Sequence, residues 1–79
     1  MPAIDGVVRS DGEPLGGAYV RLIGPSDEFV AEIYTREDGV FTFHVVDGTW
    51  TLETRAAGAE TATRAVEVAG ADASVTVEL

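Results

Sequence analysis

Four residue types are missing from this 79-residue sequence: cysteine, lysine, asparagine and glutamine. Without cysteine there is no disulfide framework and no thiolate metal site. Without lysine and asparagine, the isopeptide cross-link of adhesin-type β-sandwiches cannot form. No apolar run approaches the ~20 residues of a membrane span, and the chain does not begin like a signal peptide. We therefore expect a single domain, residues 1–79, that is soluble and cytoplasmic and has no membrane partner.

Positive charge is scarce as well, since five arginines accompany fourteen acidic residues and give a net charge of -9. Nucleic-acid-binding surfaces carry clustered positive charge, so we expect no nucleic-acid partner. An acidic surface usually keeps a small domain soluble by mutual repulsion, and a dedicated basic partner is the alternative.

Most of the aromatic side chains lie in residues 37–52, EDGVFTFHVVDGTWTL, which we predict to be a hairpin that nucleates the core. Phe41 and Phe43 alternate with polar residues at the period of a half-buried strand. Asp47-Gly48 then turns the chain into a second alternating strand. Trp50 is in phase with the leucine two residues later, which favours the core over a carbohydrate-stacking platform.

Turn-forming clusters divide the rest of the chain into short alternating segments. One cluster begins at Ser10, and Pro14 is expected to end the first strand. Gly6 faces inward, where a bulky side chain must approach it. Outside the hairpin, the predicted strands cover residues 4–9, 18–23, 29–34, 64–68 and 74–79.

Two of the segments, residues 29–34 and 56–71, differ in how clearly they alternate. Residues 29–34 place Phe29, Ala31 and Ile33 on one face and the intervening side chains on the other. Residues 56–71 are rich in alanine and have helix propensity, but the bounding glycines and the period-two valines favour a strand. The sequence thus predicts an all-β fold, a seven-stranded antiparallel Greek-key β-sandwich.

Glycines and turn acids recur at fixed offsets from the core aromatic residues, in the patterns I-x-G-x-V, DG-x-P-x-x-GA-x-V-x-L and T-x-x-DG-x-F-x-F. The matching residues are Ile4, Gly6, Val8, Asp11, Gly12, Pro14, Gly17, Ala18, Val20, Leu22, Thr35, Asp38, Gly39, Phe41, Phe43, Gly48, Trp50 and Leu52. This arrangement resembles the carboxypeptidase regulatory-like, or transthyretin-like, β-sandwich over nearly the whole chain.

A narrower likeness covers residues 17–52. The runs VRL, SDEF, AE and GTWTL are similar to an actinobacterial family of unknown function with a GA-x-VRLLDSSDEF-x-AEV core and an F-x-F…GTWTL hairpin. Members usually have a longer N-terminal segment with a cysteine, which is missing here. They are associated with sulphur metabolism because they are encoded beside rhodanese-like sulphurtransferases. The resemblance implies an accessory role to such enzymes.

The residues that catalysis would need are sparse. His44 is the only histidine, and its phase places it on the solvent face of its strand. A catalytic base needs a nucleophile and an orienting group within reach, and no motif supplies them. Acidic loop residues such as Asp27 and Glu28 form runs too short for a calcium loop. We expect no enzyme activity, cofactor or metal; a small hydrolase using His44 is an alternative.

The remaining candidate is a surface for a partner. The outward positions of the second and third strands carry more aromatic and apolar side chains than solubility requires, and such patches tend to mark interfaces. Arg21 is expected to pair across strands with Glu32 or Glu53. We predict a non-enzymatic binding or accessory module that contacts a protein partner or itself; a carbohydrate-binding or cell-surface module is the alternative. The candidate residues are Tyr19, Arg21, Ile23, Val30, Glu32 and Tyr34.

Overall fold

The computed structural model describes residues 1–79 and contains eight β-strands and no helix. The strands are β1 (Ala3–Ser10), β2 (Glu13–Pro14), β3 (Tyr19–Ile23), β4 (Phe29–Tyr34), β5 (Val40–His44), β6 (Gly48–Arg55), β7 (Ala62–Val68) and β8 (Ala73–Glu78). They form two four-stranded sheets that share one hydrophobic core. A membrane-spanning helix is not found in the structure. The predicted strand over residues 64–68 is confirmed within β7, against the helical alternative.

The two sheets differ in the order and the relative direction of their strands. In the first, β1 is central, with β2 and β5 along one side and β8 along the other; the second has the order β4-β3-β6-β7. All pairs are antiparallel except β1 and β8, which run parallel with Ile4 opposite Ala73. The prediction of a wholly antiparallel fold is therefore wrong at β8. The short turn after β7 crosses to the other sheet and reverses the chain, which fixes the direction of β8.

The eighth strand, absent from the prediction, is β2. It pairs with the end of β1 through a two-residue turn, Asp11-Gly12, whose φ angles are 53° and 80°. Positive φ at both positions is the mark of a type I′ turn, which matches the twist of a hairpin. Pro14 was expected to end the strand but lies within β2, opposite Arg9. A short edge strand tolerates proline because the missing N–H is not needed on its free side.

The predicted hairpin of residues 37–52 is also wrong in its pairing. β5 pairs with β1, whereas β6 pairs with β3 and β7, so the two strands belong to opposite sheets. Hydrogen bonds hold the connection between them, and two involve its valines. Val45 N donates to the Pro2 carbonyl at 3.0 Å, and Trp50 Nε1 donates to the Val46 carbonyl at 3.0 Å. Alternation located both strands but carried no information about their partners.

The core lies between the sheets and contains the residues that alternation placed inward. Trp50 is only 6% exposed, which confirms its assignment to the core. Gly6 lies beneath Phe41, and a Cβ at this position would overlap the Phe41 ring, as the sequence predicted. The contiguous core cluster consists of fourteen buried apolar residues: Ile4, Val8, Ala18, Val20, Leu22, Phe41, Phe43, Val45, Trp50, Leu52, Val66, Val68, Val75 and Val77.

Candidate interaction surface

The outward side chains of β3, β4 and β6 form one continuous surface, which we call the Tyr–Arg face. Its rows follow the strand register, in which β3 lies between β4 and β6. Residues directly opposite each other on one side of a sheet are close enough to interact. The face comprises Tyr19, Arg21, Ile23, Phe29, Glu32, Tyr34, Glu53 and Arg55.

A pair of tyrosines lies at one end of the face. Tyr19 and Tyr34 are directly opposite, with ring centroids 4.2 Å apart and planes inclined by 44°. The exposed fractions are 39% for Tyr19 and 58% for Tyr34. Hydrogen bonding to the Tyr34 hydroxyl group, which favours the neutral phenol, raises the pKa of Tyr19, and the Glu32 carboxylate acts in the same direction. Tyr19 therefore presents a neutral hydroxyl group at physiological pH, and both rings present aromatic edges to solvent.

The middle of the face is an ion-pair network centred on Glu32. One carboxylate oxygen, Oε2, lies 3.4 Å from Arg21 Nη2 and 3.5 Å from Arg55 Nη2. The predicted pairing of Arg21 is confirmed for Glu32, and the register also places Glu53 opposite Arg21 on its other side. The three ion-pairing side chains are partly exposed, so the network orients the guanidinium groups more than it stabilises the fold.

A β-bulge shapes the other end of the face. The register shifts between Leu22 and Ile23, so that Val30 has no partner and Phe29 lies opposite Ile23. The extra residue reverses the inward and outward sense of β4 before it. Phe29 was expected to share a face with Ala31, but it lies outside, 59% exposed, with the Arg21 guanidinium carbon 5.2 Å from its ring centroid.

The charge of the Tyr–Arg face differs from that of the rest of the protein. Two arginines and two glutamates cancel within the face. The other three arginines and twelve acidic residues carry 3 − 12 = -9, which is the entire net charge of the chain. The face is thus net neutral, and the tyrosine, phenylalanine and arginine that it exposes are enriched in protein interfaces.

The surface has four shallow clefts, one of which adjoins the tyrosine pair. This cleft measures about 380 Å³ and is bounded by both tyrosines, Arg55 and the residues Gly17, Ala56 and Ala57. His44 is exposed on the first sheet, as predicted, and lines none of the four clefts. A hydrolase using His44 would need a pocket that holds His44 beside an arginine, and none of the four clefts provides one.

The structure brings five of the six predicted contact residues together: Tyr19, Arg21, Ile23, Glu32 and Tyr34. The sixth, Val30, is the unpaired residue of the bulge and is 46% exposed. Sequence reasoning missed Phe29 and Arg55. Arg55 could have been found, because it continues the outward alternation of Thr51 and Glu53. No sequence signal marked the bulge that turns Phe29 outward.

The chain belongs to a family described as "Protein of unknown function (DUF1416)", whose profile matches residues 2–79. Two proteins of Mycobacterium tuberculosis, Rv0814c and Rv3118, are each 50% identical over 46 residues. A protein of Mycolicibacterium smegmatis is 48% identical over 46 residues. Each match covers 58% of this chain but only 46% of the M. tuberculosis proteins and 51% of the M. smegmatis protein, so it spans about half of those relatives.

Two solved structures share the fold at low sequence identity. One is the dioxygenase domain of a dioxygenase carbohydrate-binding protein fusion from Streptomyces sp. SirexAA-E, with a TM-score of 0.79 and 14% identity over 98% of this chain and 77% of that one. The other is the Bacillus anthracis TIE protein, with a TM-score of 0.76 and 18% identity over 99% of this chain and 17% of that one. At such identities the likeness shows the all-β fold alone.

Proposed function

We propose that this chain is a non-enzymatic accessory module that binds a protein partner through the Tyr–Arg face. The observation that carries the proposal is that the face is electrically neutral and aromatic on a protein of charge -9. A partner that docks there meets neither the bulk of the carboxylates nor an unpaired arginine. The rest of the acidic surface serves solubility.

The side chains of the face are suited to binding because they are already ordered. Glu32 holds Arg21 and Arg55, and Arg21 in turn lies against Phe29. Immobilising a flexible side chain on association costs roughly 0.5–1.5 kcal/mol, so groups that are fixed beforehand lose less. Tyrosine and arginine also dominate the few residues that supply most of the binding free energy in interfaces.

We propose further that the fold is a Greek-key sandwich of the transthyretin or carboxypeptidase regulatory-like class. Its two-sheet architecture and the glycines beneath Phe41 and at the turns support this classification. The partner that the family resemblance implies is a rhodanese-like sulphurtransferase, which would make this chain an accessory protein of sulphur metabolism. In that arrangement the sulphur chemistry belongs to the enzyme, and this chain presents a surface.

The test is a double substitution, Tyr19→Ser with Tyr34→Ser, measured by calorimetric titration against a sulphurtransferase encoded beside a family member. We expect the fold to survive, because both rings are exposed, and the affinity to fall by about tenfold or more. Val46→Ser is the matched control, since Val46 is also 58% exposed but lies outside the face. Equal affinity for the double variant and the parent would contradict the proposal.

A carbohydrate-binding module is a second candidate, favoured by the exposed tyrosine pair beside the cleft of about 380 Å³. The 44° between the rings means that a sugar would stack on one ring and hydrogen-bond the other hydroxyl group or Arg55. Nuclear magnetic resonance titration with oligosaccharides tests this. A sugar is favoured over the protein partner if the chemical-shift changes are confined to Tyr19, Tyr34 and residues 55–57. These changes should be abolished by Tyr34→Ser but kept by Tyr34→Phe.

A further inference from the structure

The four edges of the two sheets are not equally protected against pairing with another chain. Natural proteins guard exposed edges with bulges, charged residues or covering groups. β4 contains the bulge at Val30 and the charged Glu32. β7 and β8 lie side by side, where Arg64 Nη1 of β7 donates to the Thr76 carbonyl of β8 at 2.7 Å.

The fourth edge, β5, is less protected, because only the Asp38 carboxylate, which accepts a hydrogen bond from Val40 N at 3.0 Å, covers its first residue. Its sequence, Val40–His44, contains no acidic residue, no proline and no bulge. The adjoining Val45 and Val46 extend an uncharged stretch of high β-propensity on a protein of charge -9. Uncovered segments of this kind are ready templates for strand pairing.

The free hydrogen-bonding groups of β5 can be assigned from the ladder with β1. Val8 N donates to the Gly39 carbonyl at 2.8 Å, and Val45 N donates to the Pro2 carbonyl at 3.0 Å. Hydrogen-bonded positions alternate along an antiparallel pair, so Phe41 and Phe43 bond to β1. The N–H and C=O groups of Thr42 and His44 and the C=O group of Val40 therefore point toward the free edge, where Val40 N donates to Asp38 Oδ1 at 3.0 Å.

We propose that β5 pairs antiparallel with β5 of a second copy, with Thr42 on the two-fold axis. The three residues with outward backbone groups are spaced symmetrically about Thr42. In this register Thr42 meets Thr42 of the second copy and Val40 meets its His44, which gives about four backbone hydrogen bonds from Thr42 N and His44 N, and about six where Val40 N exchanges Asp38 Oδ1 for the His44 carbonyl of the second copy. The side-chain pattern V-F-T-F-H is nearly palindromic, so Phe41 lies opposite Phe43 of the second copy on the core side.

The charges also permit a second copy at this edge, because β5 brings no like charges into contact. Two carboxylates contact β5: Asp38 accepts a hydrogen bond from Val40 N at one end, and Asp5 on β1 accepts one from Thr42 Oγ1 at 2.9 Å. In the dimer the two Asp5 residues are three strand spacings apart, about 14 Å. That distance exceeds the screening length of ~8–10 Å at physiological ionic strength.

The surface beside β5 provides further apolar area for this contact. A cleft of about 310 Å³ lies between β4 and β5, lined by Ile33, Tyr34, Phe41 and their neighbours. Tyr34 and Val30 of β4 are 58% and 46% exposed. A second copy docked at β5 would cover this side of the sandwich, leaving the rest of the Tyr–Arg face accessible.

The first experiment compares the sedimentation of the full chain with that of Thr42→Pro and the control Thr42→Val. The N–H of Thr42 makes no bond to β1, so proline is tolerated at a free edge. Both variants lose the side-chain bond to Asp5, and proline alone also removes the backbone contact with the second copy. We expect a concentration-dependent dimer for the parent and for Thr42→Val, and a monomer for Thr42→Pro. A parent that stays monomeric at high concentration overturns the proposal, as does a Thr42→Pro variant that remains dimeric.

The second experiment keeps the proposal testable if proline disturbs the fold. Thr42→Glu and Thr42→Arg each place like charges opposite one another on the two-fold axis, so each alone should be monomeric. Their equimolar mixture should form a heterodimer, because the charges are then opposite. Tyr19→Ser, which leaves the cleft beside β5 unchanged, should stay dimeric; if it dissociates while the mixture forms no heterodimer, the copies meet through the Tyr–Arg face instead.

Discussion

The two long sides of the sandwich are built differently. On the closed side, where β7 meets β8, Arg64 joins the sheets and two aspartates fix the connecting turn. Asp47 accepts a hydrogen bond from Gly70 N, and Asp72 accepts one from Ala3 N, each at 2.9 Å. On the open side a cleft separates β4 from β5, and the exposed Tyr34 of β4 lines it.

The difference shows how a small domain separates stability from recognition. A chain of this size has only a few kcal/mol of stability in excess, and side-chain links between sheets at one side protect the core there. The other side keeps free backbone groups and apolar side chains, which add little to stability and are available to a partner. Regions with few buried contacts are the ones that interaction surfaces draw on.

The largest effect is expected from a matched pair of aromatic substitutions. Trp50, which lies opposite Val66 of β7, is 6% exposed, whereas Phe29 at the end of β4 is 59% exposed. Trp50→Ala should lower the free energy of unfolding by ~3–5 kcal/mol through the cavity it leaves. Phe29→Ala should cost below about 1 kcal/mol. Urea denaturation of both variants measures the contrast, and a Trp50→Ala variant as stable as Phe29→Ala would contradict the core assignment.

The sequence predicted the position of nearly every strand, because alternation reports which side of a strand is buried. Trp50, Gly6 and the inward valines were therefore assigned correctly. Pairing between strands is a long-range property that alternation does not encode. For this reason β5 and β6 were taken for a hairpin, and the parallel pairing of β8 was missed.

The candidate surface was predictable to the extent that it depends on strand phase. Tyr19, Arg21 and Tyr34 lie outward as expected. Phe29 departs from the alternation of β4 because the unpaired Val30 reverses the inward and outward sense of the strand. No residue type in this segment signals a bulge, so the reversal could not be predicted. The β5 edge could not be anticipated, since its exposure depends on which strand it pairs with.

Arg64→Met tests the closed side directly. Removing the guanidinium group leaves the Thr76 carbonyl without its donor, and we expect a loss of about 0.5–1.5 kcal/mol. The loss should also appear as faster amide hydrogen exchange in β7 and β8, with β3 and β4 unchanged. Arg9→Met is the control, because the Arg9 guanidinium makes only a 3.5 Å contact with the Gly12 carbonyl. Similar stability losses for the two variants would argue against a sheet-joining role for Arg64.

Salt should have a smaller and more diffuse effect. The net charge of -9 lies entirely outside the Tyr–Arg face, where carboxylates repel one another. Raising NaCl from about 50 to about 300 mM shortens the screening length and should raise Tm by a few degrees, about 0.5 kcal/mol. The melting experiment is done at low protein concentration, to keep association constant. A flat or falling Tm would mean that arginine–carboxylate pairs outweigh the repulsion.

The smallest effect is local to the open side and concerns the ionisation of Tyr19. Hydrogen bonding to Tyr34 raises the pKa of Tyr19 above its ordinary value of 10.0. A raised folded-state pKa means that the folded protein holds the phenol proton more tightly than the unfolded chain does. This contribution to stability is complete below the ordinary pKa and is lost as the pH rises through the folded-state value.

The measurement is a near-ultraviolet absorbance titration of the parent and of Tyr34→Phe. In the variant the ring contact remains but the hydroxyl group is gone, so the pKa of Tyr19 should fall back toward 10.0. Glu32→Gln is the control for charge, since the Glu32 carboxylate also raises the pKa but by less than the hydroxyl group does. If Glu32→Gln shifts the titration more than Tyr34→Phe does, the ion-pair network controls the ionisation of this end of the Tyr–Arg face.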